Sequence, residues 1–417
     1  MEVVSVKTKI FLEAESGAGQ MIREGGLVAV PTETVYGLAG NGLDEAAVRQ
    51  IYEVKGRPPV KPLSLMVPDQ AAMALYCDPI PESAKTLAEK FWPGPLTIVL
   101  NSRELVPEIV RAGGATVGLR CPDNVLTLNA LAEAGVPFAA PSANPSGEPS
   151  PKTAEEVLRY FDGKIDGVID GGPCTIGTES TLIDLSRTPY RILRQGALPY
   201  EQIADALAEK MDVLGITGPS GCGKTIALDV FRKVCGEDEC LCVDCDVLYH
   251  RLLETEENMI AELNAMFPEA AEMSEDGHAG VNRQKLGNVV FREPEKLKLL
   301  NELTHHYIVD ALKRLIREHA MNGGKTVIID ASELAASGAA DLCDTTLAIL
   351  APFENRLDRI MERDHLTREQ AELRLRAQHD DSYYREHVSY ILENKGSLED
   401  FENTLICFIK KTGKGVR

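Results

Sequence analysis

The 417-residue sequence has no surplus of positive charge, and this absence limits the partners that it can attract. It carries 44 Lys and Arg against 64 Asp and Glu, a formal net charge of −20 at pH 7. Both halves of the chain are acidic. Broad electrostatic attraction to nucleic acid is therefore not expected, although a local basic pocket is compatible with this balance.

Long apolar stretches and ordered cysteine patterns are also missing. No apolar run approaches the roughly 20 residues of a membrane helix, and segment 1–16 lacks the apolar core of a signal peptide. The ten cysteines are irregularly spaced in a chain too long to depend on disulfides. Cys235, Cys240, Cys242 and Cys245 cluster without two C-x₂-C pairs, so zinc is not expected. We expect a cytoplasmic protein without membrane association.

The chain does have an ordinary globular composition and a change of pattern near its middle. Its length suggests two or three domains. Before Tyr200, short β-rich runs such as Leu96–Leu100 alternate with Gly and Pro turns, whereas after Asp212 one strand leads into a glycine-rich loop and helical patterns. We predict two α/β domains, residues 1–205 and residues 206–417, each with its own core.

The strongest motif is the stretch Gly218–Thr225, which matches the Walker A pattern in full. A predicted strand, Val213–Thr217, precedes it, and a helical pattern, Ile226–Val234, follows. Glycines let backbone N–H groups approach phosphate oxygens, the lysine reaches the β- and γ-phosphates, and the hydroxyl binds Mg²⁺. The residues expected to bind ATP and Mg²⁺ here are Gly218, Gly221, Gly223, Lys224 and Thr225.

Two carboxylates and a row of arginines follow the loop. Asp244 and Asp246 end a predicted strand, where Asp246 can take a proton from an acceptor hydroxyl or hold Mg²⁺, the alternative being a helix cap. Arg356, Arg359 and Arg363 share one helix face, which alone fits a solvated surface. With the phosphate loop upstream, we predict that they form a lid over the phosphates.

These features resemble dephospho-coenzyme A kinase over about 200 residues. The resemblance is carried by Asp244-Cys-Asp246, Arg283–Phe291, Leu303–Ile308, the arginine-rich segment through Gln378, and Ile391–Gly396. It implies a P-loop kinase with a parallel sheet and a helical lid. The implied reaction phosphorylates the ribose 3′-hydroxyl of dephospho-coenzyme A with ATP and Mg²⁺. The acceptor-binding residues that it implies are Asp244, Asp246, Arg283 and His305.

The acceptor segment departs from the family pattern. The family stretch D-x-P-L-L-F-E reads Asp330-Ala-Ser-Glu-Leu-Ala-Ala336 here, so alanine replaces the family glutamate. Phosphorylation of dephospho-coenzyme A is the preferred interpretation. Another small hydroxyl acceptor, or a non-catalytic nucleotide sensor, stays open as the alternative.

The first half contains hydroxyl-rich and basic strings at predicted strand ends. Lys55, Arg57 and Lys61 fall within seven positions held by prolines and a glycine, which suits a polyphosphate, although such a run alone is more often surface charge. The other strings are Pro31–Leu38, Val117–Pro122, Pro141–Gly147, Gly177–Thr181 and Arg191–Gly196.

Together these strings resemble the YrdC/Sua5 family of threonylcarbamoyl-AMP synthases over roughly residues 8–200. The family pattern K-x-R…S-x-N is matched by Lys55, Arg57, Ser142 and Asn144. The resemblance implies a twisted mixed α/β sheet with a concave pocket. It assigns Lys55 and Arg57 to catalysis, and the expected residues around ATP and threonine are Thr32, Tyr36, Lys61, Arg120, Ser142, Asn144, Ser180 and Arg194.

The implied reaction converts L-threonine, bicarbonate and ATP into threonylcarbamoyl-AMP and pyrophosphate. Downstream threonylcarbamoyl transferase proteins then modify adenosine 37 of tRNA, and no direct, stable tRNA binding by this chain is expected. An RNA-binding module is the alternative for this half. Met66 stands where many relatives have histidine, a departure at one substrate contact.

Overall fold

The computed structural model describes residues 7–12, 17–273, 279–290 and 292–412. Phe291, which closes one of the kinase-like strings, lies outside these residues. The chain divides into two compact units, Met1–Glu209 and Lys210–Arg417, and each is described by itself below.

The first unit is built on a ten-stranded mixed sheet in the order β1-β8-β2-β3-β7-β4-β6-β5-β9-β10. Its central strands are short and apolar, and β2 is fully buried along its length. The strands are β1 (Lys9–Leu12), β2 (Val28–Val30), β3 (Gly37–Asn41), β4 (Ser64–Met66), β5 (Leu96–Asn101), β6 (Thr116–Arg120), β7 (Phe138–Ala139), β8 (Gly167–Asp170), β9 (Thr181–Asp184) and β10 (Arg191–Arg194).

Eight helices accompany this sheet in the described residues. They are α1 (Ala18–Arg23), α2 (Glu45–Lys55), α3 (Met73–Tyr76), α4 (Glu82–Phe91), α5 (Glu108–Arg111), α6 (Val125–Ala134), α7 (Ala154–Phe161) and α8 (Tyr200–Ala208). The Asp44 carboxylate begins α2 by accepting from the N–H of Ala46, and Gly56 ends it in the left-handed region. The last residue of α2 is therefore Lys55, which points its side chain into the site described below.

The second unit holds a five-stranded parallel sheet in the order β12-β15-β11-β16-β17. Parallel sheets are covered on both faces, so their strands are apolar throughout, as in β15, where Val327–Ile329 are fully buried. The sheet strands are β11 (Asp212–Thr217), β12 (Cys240–Asp244), β15 (Thr326–Asp330), β16 (Thr345–Leu350) and β17 (Tyr390–Glu393), and β13 (Ala271–Met273) pairs with β14 (Ala279–Val281) in a separate ribbon.

The helices of this unit divide into those that cover the sheet and those that extend beyond its carboxyl edge. On one face, α9 packs with α17, and the rings of Phe231 and Phe408 meet edge to face at 6.5 Å. The helices are α9 (Lys224–Cys235), α10 (Cys245–Thr255), α11 (Glu257–Met266), α12 (Arg283–Val290), α13 (Pro294–Met321), α14 (Phe353–Asp364), α15 (Arg368–Arg376), α16 (Asp381–His387) and α17 (Leu398–Thr412).

The predicted fold class is confirmed in both units: a mixed α/β sheet in the first and a parallel P-loop sheet in the second. The strand predicted at Val213–Thr217 is β11, and the strand predicted before Asp244 is β12. Among the described residues, none of the helices combines the length and the apolar character needed to cross a membrane.

Candidate nucleotide and acceptor sites

Lys55 is a buried cation at the centre of the first unit's predicted site. Its side chain is almost inaccessible, and its ammonium group donates short hydrogen bonds to the carbonyl oxygens of Ser142 and Asn144. Burial lowers the pKa of Lys55 to about 8, and the nearby charge of Arg57 adds to this effect. Because burial disfavours the charged form of this lysine, an anionic ligand beside it would stabilise that charge.

The segment that receives Lys55 is fixed by backbone pairing. Ser142 bridges Gly37, and the N–H of Ala143 donates to the carbonyl of Tyr36 at 2.7 Å. Asn144 is 6% exposed, and its amide nitrogen donates to backbone carbonyls. Its Oδ1 atom is buried and has no hydrogen-bond partner among the residues that the structure describes, so it is an acceptor that a bound ligand can satisfy.

Arg194, Arg57 and Ser180 complete a polar cluster around Glu179. A bulge between Ile192 and Arg194 shifts the pairing of β10 with β9, and Arg194 donates to the backbone and hydroxyl oxygens of Ser180 at 2.9 and 3.2 Å. Arg194 also pairs with Glu179. Glu179 favours the charged forms of Lys55 and Arg57, whereas burial lowers the pKa of Arg57.

Other predicted residues of this unit have their polar atoms engaged by protein groups. Arg120 is buried, pairs with Glu33 at 2.7 Å and donates to the carbonyl of Gly94 at 3.2 Å. The Tyr36 hydroxyl binds the turn at Gly171 and Gly172, and burial raises the pKa of Tyr36 to about 12.

Thr32 and Lys61 are likewise held by local structure or lie at the surface. The Thr32 hydroxyl donates to the carbonyl of Val35 at 2.7 Å within its own turn. The Lys61 side chain is exposed, while its carbonyl accepts from Tyr52 and Arg57. The structure thus brings six predicted residues together, namely Lys55, Arg57, Ser142, Asn144, Ser180 and Arg194.

In the second unit, three loop glycines lie where a side chain cannot fit. Gly218, Gly221 and Gly223 all have φ angles in the left-handed half of the map. A Cβ at Gly218 would lie 2.3 Å from the carbonyl oxygen of Ile349, and one at Gly221 would lie 2.8 Å from that of Arg356. The loop is therefore pressed against β16 and the start of α14.

Lys224 and Asp330 face each other behind this loop. The ammonium group of Lys224 donates to the carbonyl of Gly218 at 3.0 Å and lies 4.0 Å from the Asp330 carboxylate. Burial raises the pKa of Asp330 to about 6, an effect that Lys224 opposes and that Asp244 and Asp246 reinforce. Three carboxylates thus converge at the carboxyl ends of β12 and β15.

The two strand-end aspartates have different surroundings. Asp244 accepts from the N–H groups of Asp246 and Val247 at 2.9 and 3.1 Å, so its carboxylate caps α10. Asp246 is exposed and lines a cavity. The helix-cap alternative therefore describes Asp244, and Asp246 is the carboxylate directed toward ligand space.

The arginine row lies on α14, as predicted, but its three members have different partners. Arg356 is 8% exposed, and its buried Nε atom has no hydrogen-bond partner in the described part of the chain. Arg359 donates to the carbonyl of Gly221 in the phosphate loop at 3.0 Å. Arg363 is paired with Asp364, which also accepts from Arg374 at 2.7 Å.

A cavity of about 780 Å³ lies beside the phosphate loop, between the ends of β16 and β17 and the helices α14 to α16. Four cations, Arg356, Arg376, Arg385 and Lys395, line it together with the carboxylates of Asp380, Asp381 and Glu393, and Glu393 pairs with Arg385 and Lys395. Gln378 also lines it and binds Ser220 of the loop through both ends of its amide. The buried Nε atom of Arg356 adds a donor that an anionic ligand can engage.

A second cavity, of about 410 Å³, brings together the predicted acceptor residues Asp246, Arg283 and His305. Its walls are mostly apolar, and burial lowers the pKa of His305. Glu333, which follows β15, lines the same cavity and was not predicted as a site residue. It lies three positions before Ala336, so a carboxylate is present although the family glutamate is not.

A magnesium ion would find oxygen ligands at the loop but no closed cage. Within the described parts of the chain, no group of three or more His, Cys, Asp or Glu side chains is arranged to hold a metal ion. Mg²⁺ usually takes one or two protein ligands together with substrate phosphates. Thr225 and Asp246 fit an ion that arrives with its nucleotide.

Comparison with known proteins matches a different family to each of the two units. A family model described as telomere recombination (Sua5_yciO_yrdC) matches residues 20–196, and one described as dephospho-CoA kinase matches residues 212–400. A threonylcarbamoyl-AMP synthase of Pyrococcus abyssi is 48% identical over 207 residues, covering 50% of this chain and 61% of the relative.

Two further relatives are matched over most of their own length. A putative threonylcarbamoyl-AMP synthase of Methanocaldococcus jannaschii is 36% identical over 183 residues, 44% of this chain and 86% of the relative. A dephospho-CoA kinase of Lactobacillus johnsonii is 31% identical over 201 residues, 48% of this chain and 98% of the relative. In contrast, the chain spans 61% and 54% of the synthases of Pyrococcus abyssi and Bacillus subtilis.

Proposed function

We propose two activities from one premise: the chain belongs to the Sua5/YrdC family over residues 20–196 and to the dephospho-CoA kinase family over residues 212–400. The first unit makes threonylcarbamoyl-AMP from L-threonine, bicarbonate and ATP. The second transfers the γ-phosphoryl group of ATP to the ribose 3′-hydroxyl of dephospho-coenzyme A. The protein is thus a bifunctional enzyme, with both a nucleotidyltransferase and a phosphotransferase activity.

In the first reaction, the threonine amine and bicarbonate give a carbamate and water. A carbamate oxygen then bonds to the α-phosphorus of ATP, and the bond to the bridging oxygen of pyrophosphate breaks. Lys55, Arg57 and Arg194 stabilise the negative charge that accumulates on the phosphate oxygens. Holding three reactants together accounts for much of the acceleration.

The observation that carries this proposal is a polar cluster that runs from the buried Lys55 and Asn144 to the exposed Arg194. The Lys55 ammonium group bonds to the segment that holds Asn144, and Glu179 interacts with the charge of Lys55 and pairs with Arg194. ATP phosphates compete with Glu179 for these cations, and the Asn144 oxygen accepts from a ligand hydroxyl.

The full chain should form threonylcarbamoyl-AMP from ¹⁴C-bicarbonate, L-threonine and MgATP, detected by mass spectrometry and radiochromatography. Lys55→Met should lower kcat/KM by at least about a hundredfold, because a transition-state charge loses its cation. Lys164→Met, at an exposed lysine bound to the carbonyl of Tyr160, is the matched control. Equal rates for both variants would remove Lys55 from the mechanism.

In the second reaction, the 3′-hydroxyl oxygen bonds to the γ-phosphorus, and the bond to the bridging oxygen of ADP breaks. The hydroxyl proton passes to Asp246, with Asp330 as the neighbouring buried acid. Lys224 and Arg359 offset the phosphate charge, and Mg²⁺, when bound, would be held by Thr225 and Asp246 and would neutralise part of that charge. Arg283 and His305 hold the acceptor in the apolar cavity.

The observation that carries the kinase proposal is the placement of Asp246 in one cavity with Arg283 and His305. Protein incubated with MgATP and dephospho-coenzyme A should form coenzyme A, followed by mass spectrometry, and Lys224→Ala should form none. If the unmutated protein binds ATP but forms no coenzyme A, the unit acts on another hydroxyl acceptor or senses nucleotide.

A further inference from the structure

Two consecutive residues after α15 contact both ligand regions of the second unit. Oε1 of Gln378 accepts from the N–H of Ser220 at 3.0 Å, and its Nε2 donates to the Ser220 hydroxyl at 2.7 Å. Nε2 of His379 lies 3.3 Å from Oε2 of Glu333, a bond that the imidazole donates because a carboxylate only accepts. Gln378 therefore reaches the phosphate loop and His379 reaches the wall of the acceptor cavity.

The pair is held by a stack of aromatic rings. The His379 ring stacks on Tyr383 with centroids 3.7 Å apart and planes 14° apart, and Tyr383 also stacks on His387 at 4.4 Å. Asp380 caps α16 by accepting from the N–H of Tyr383 at 3.0 Å. Tyr384 is buried against β16, so this stack is anchored to the sheet.

Glu333 connects the pair to ligand space. It lines the acceptor cavity, and its charge opposes the lowering of the His305 pKa that burial causes. The carboxylate therefore interacts with His305 inside the cavity and with His379 at its edge. An acceptor that orders Glu333 also restrains His379, and Gln378 is only one residue away, about 3.8 Å between Cα atoms.

We propose that Gln378 and His379 are positioning residues that couple acceptor binding to ATP binding, an inference that rests on the proposed kinase function. Acceptor in the cavity fixes Glu333 and His379, which in turn holds Gln378 against Ser220. The phosphate loop then loses less freedom when ATP binds, so the acceptor tightens ATP binding. By linkage, ATP tightens acceptor binding by the same factor.

Calorimetry on the full chain tests this coupling without relying on turnover. The dissociation constant of the Mg²⁺ complex of β,γ-imido-ATP is measured without and with saturating dephospho-coenzyme A, and the site of the second unit is distinguished from the proposed ATP site of the first unit by its loss in Lys224→Ala. In the unmutated protein, the acceptor should tighten binding at least about fivefold. In His379→Ala and Gln378→Ala, this factor should fall to near one, and Gln378→Ala should also weaken binding of the analogue alone.

Two further variants separate coupling from folding. His379→Gln retains a donor for Glu333 and should keep most of the factor. His387→Ala removes a ring from the same stack. Because Nδ1 of His387 bonds to the carbonyl of Tyr383 and not to Glu333, this variant should keep the full acceptor-induced tightening of analogue binding. Coenzyme A formation by the unmutated protein is measured in parallel.

The possible outcomes distinguish the two proposals. The coupling role would be overturned, and the kinase function retained, if coenzyme A forms and dephospho-coenzyme A tightens analogue binding by the same factor in His379→Ala as in His387→Ala. If dephospho-coenzyme A neither binds nor reacts while the ATP analogue binds, the proposed acceptor fails and the coupling role fails with it. Loss of the factor in His379→Ala, with its recovery in His379→Gln, would support the proposal.

Discussion

Lys55 retains its charge only within a limited pH range, because it is buried beside Arg57. Its pKa of about 8 lies below the ordinary value of 10.5, so the free protein loses this cation as the pH rises through about 8. Below that pH the lysine is protonated and can bind phosphate. The synthase reaction should therefore be most efficient on the acidic side of this pKa.

We expect kcat/KM for ATP in the synthase reaction to fall about tenfold per pH unit above pH 8, because only the protonated lysine stabilises phosphate charge. Lys55→Arg should be slower but should lack this alkaline limb, since a guanidinium stays charged. Rates measured from pH 6.5 to 9.5 for both proteins test this. An identical limb in the arginine variant would assign it to another group.

Asp330 is the opposite case, a carboxyl whose ionisation is opposed by burial. Its folded pKa of about 6 lies above the ordinary 3.8, so the folded state binds more protons between these values and its stability falls as pH rises from about 4 to 6. Above pH 6 the full penalty is present. The charge is thus retained at neutral pH at a cost in stability, as is typical of functional sites.

Asp330→Asn should therefore stabilise the ligand-free second unit at pH 7.5, by about 1–3 kcal/mol, while it lowers kinase turnover. The gain should vanish near pH 4, where the carboxyl is already neutral. Urea unfolding at both pH values, monitored in the full chain, measures it. Asp238→Asn, at an exposed position, is the control. Asp344→Asn is unsuitable because the Asp344 carboxylate accepts a hydrogen bond from the N–H of Val213. A loss of stability at pH 7.5 would show that the Lys224 pairing outweighs burial.

At the scale of elements, the phosphate loop depends on α14 as much as on its own glycines. Gly221 has a φ of +78°, and the backbone of Arg356 occupies the space where a Cβ would lie. Arg359 then donates to the carbonyl of Gly221 from the next turn of the same helix. The loop and the arginine helix are therefore one packed unit.

Gly221→Ala should destabilise the second unit by about 1–3 kcal/mol, because both the left-handed backbone and the 2.8 Å approach to the Arg356 oxygen must be relieved. It should weaken ATP binding in the kinase and leave synthase activity unchanged. Gly280→Ala is the control, since a Cβ there would meet no atom of the described residues closer than 3.8 Å. Thermal unfolding and calorimetric ATP titration measure both effects; equal behaviour of the two variants would contradict the packing argument.

Elements with a local signal could be predicted from the sequence. Glycine spacing between a strand and a helix predicts the phosphate loop, and the helical period of the arginines predicts that they share one helix; both features are observed. What the period could not reveal is the partner of each arginine. Arg363 pairs with the carboxylate of Asp364, the next residue. Arg359 reaches the carbonyl of Gly221 because α14 packs against the phosphate loop.

Long-range partners explain the rest of the difference. Arg120 was expected among the residues around ATP and threonine, and its partner in the structure, Glu33, lies 87 positions away. Glu333 and Gln378 lie in segments compared with the kinase family, but neither was predicted as a site residue, and the partners that bring them to the second unit's site, His379 and Ser220, are distant in sequence. The roles of the individual site residues stay predictions that the variants above address.

At the scale of the whole molecule, each site is assembled from side chains of a single unit. The Lys55 cluster uses residues between 55 and 194, and the phosphate loop and both cavities use residues between 218 and 395. Both proposed reactions use ATP, but the groups proposed to bind its phosphates differ: a buried lysine and arginines in the first unit, and a glycine loop with a helix N-terminus in the second.

The two activities should therefore be separable by single substitutions. Lys224→Ala should abolish coenzyme A formation and keep threonylcarbamoyl-AMP formation within about twofold of the unmutated rate, and Lys55→Met should do the reverse, because each removes one phosphate ligand from one site. Both products are quantified in the same reaction mixture by mass spectrometry. A substitution that lowers both rates by more than about tenfold, in protein whose thermal unfolding is unchanged, would show that the units depend on each other for catalysis. Retention of the second activity in each variant would establish two independent enzymes on one chain.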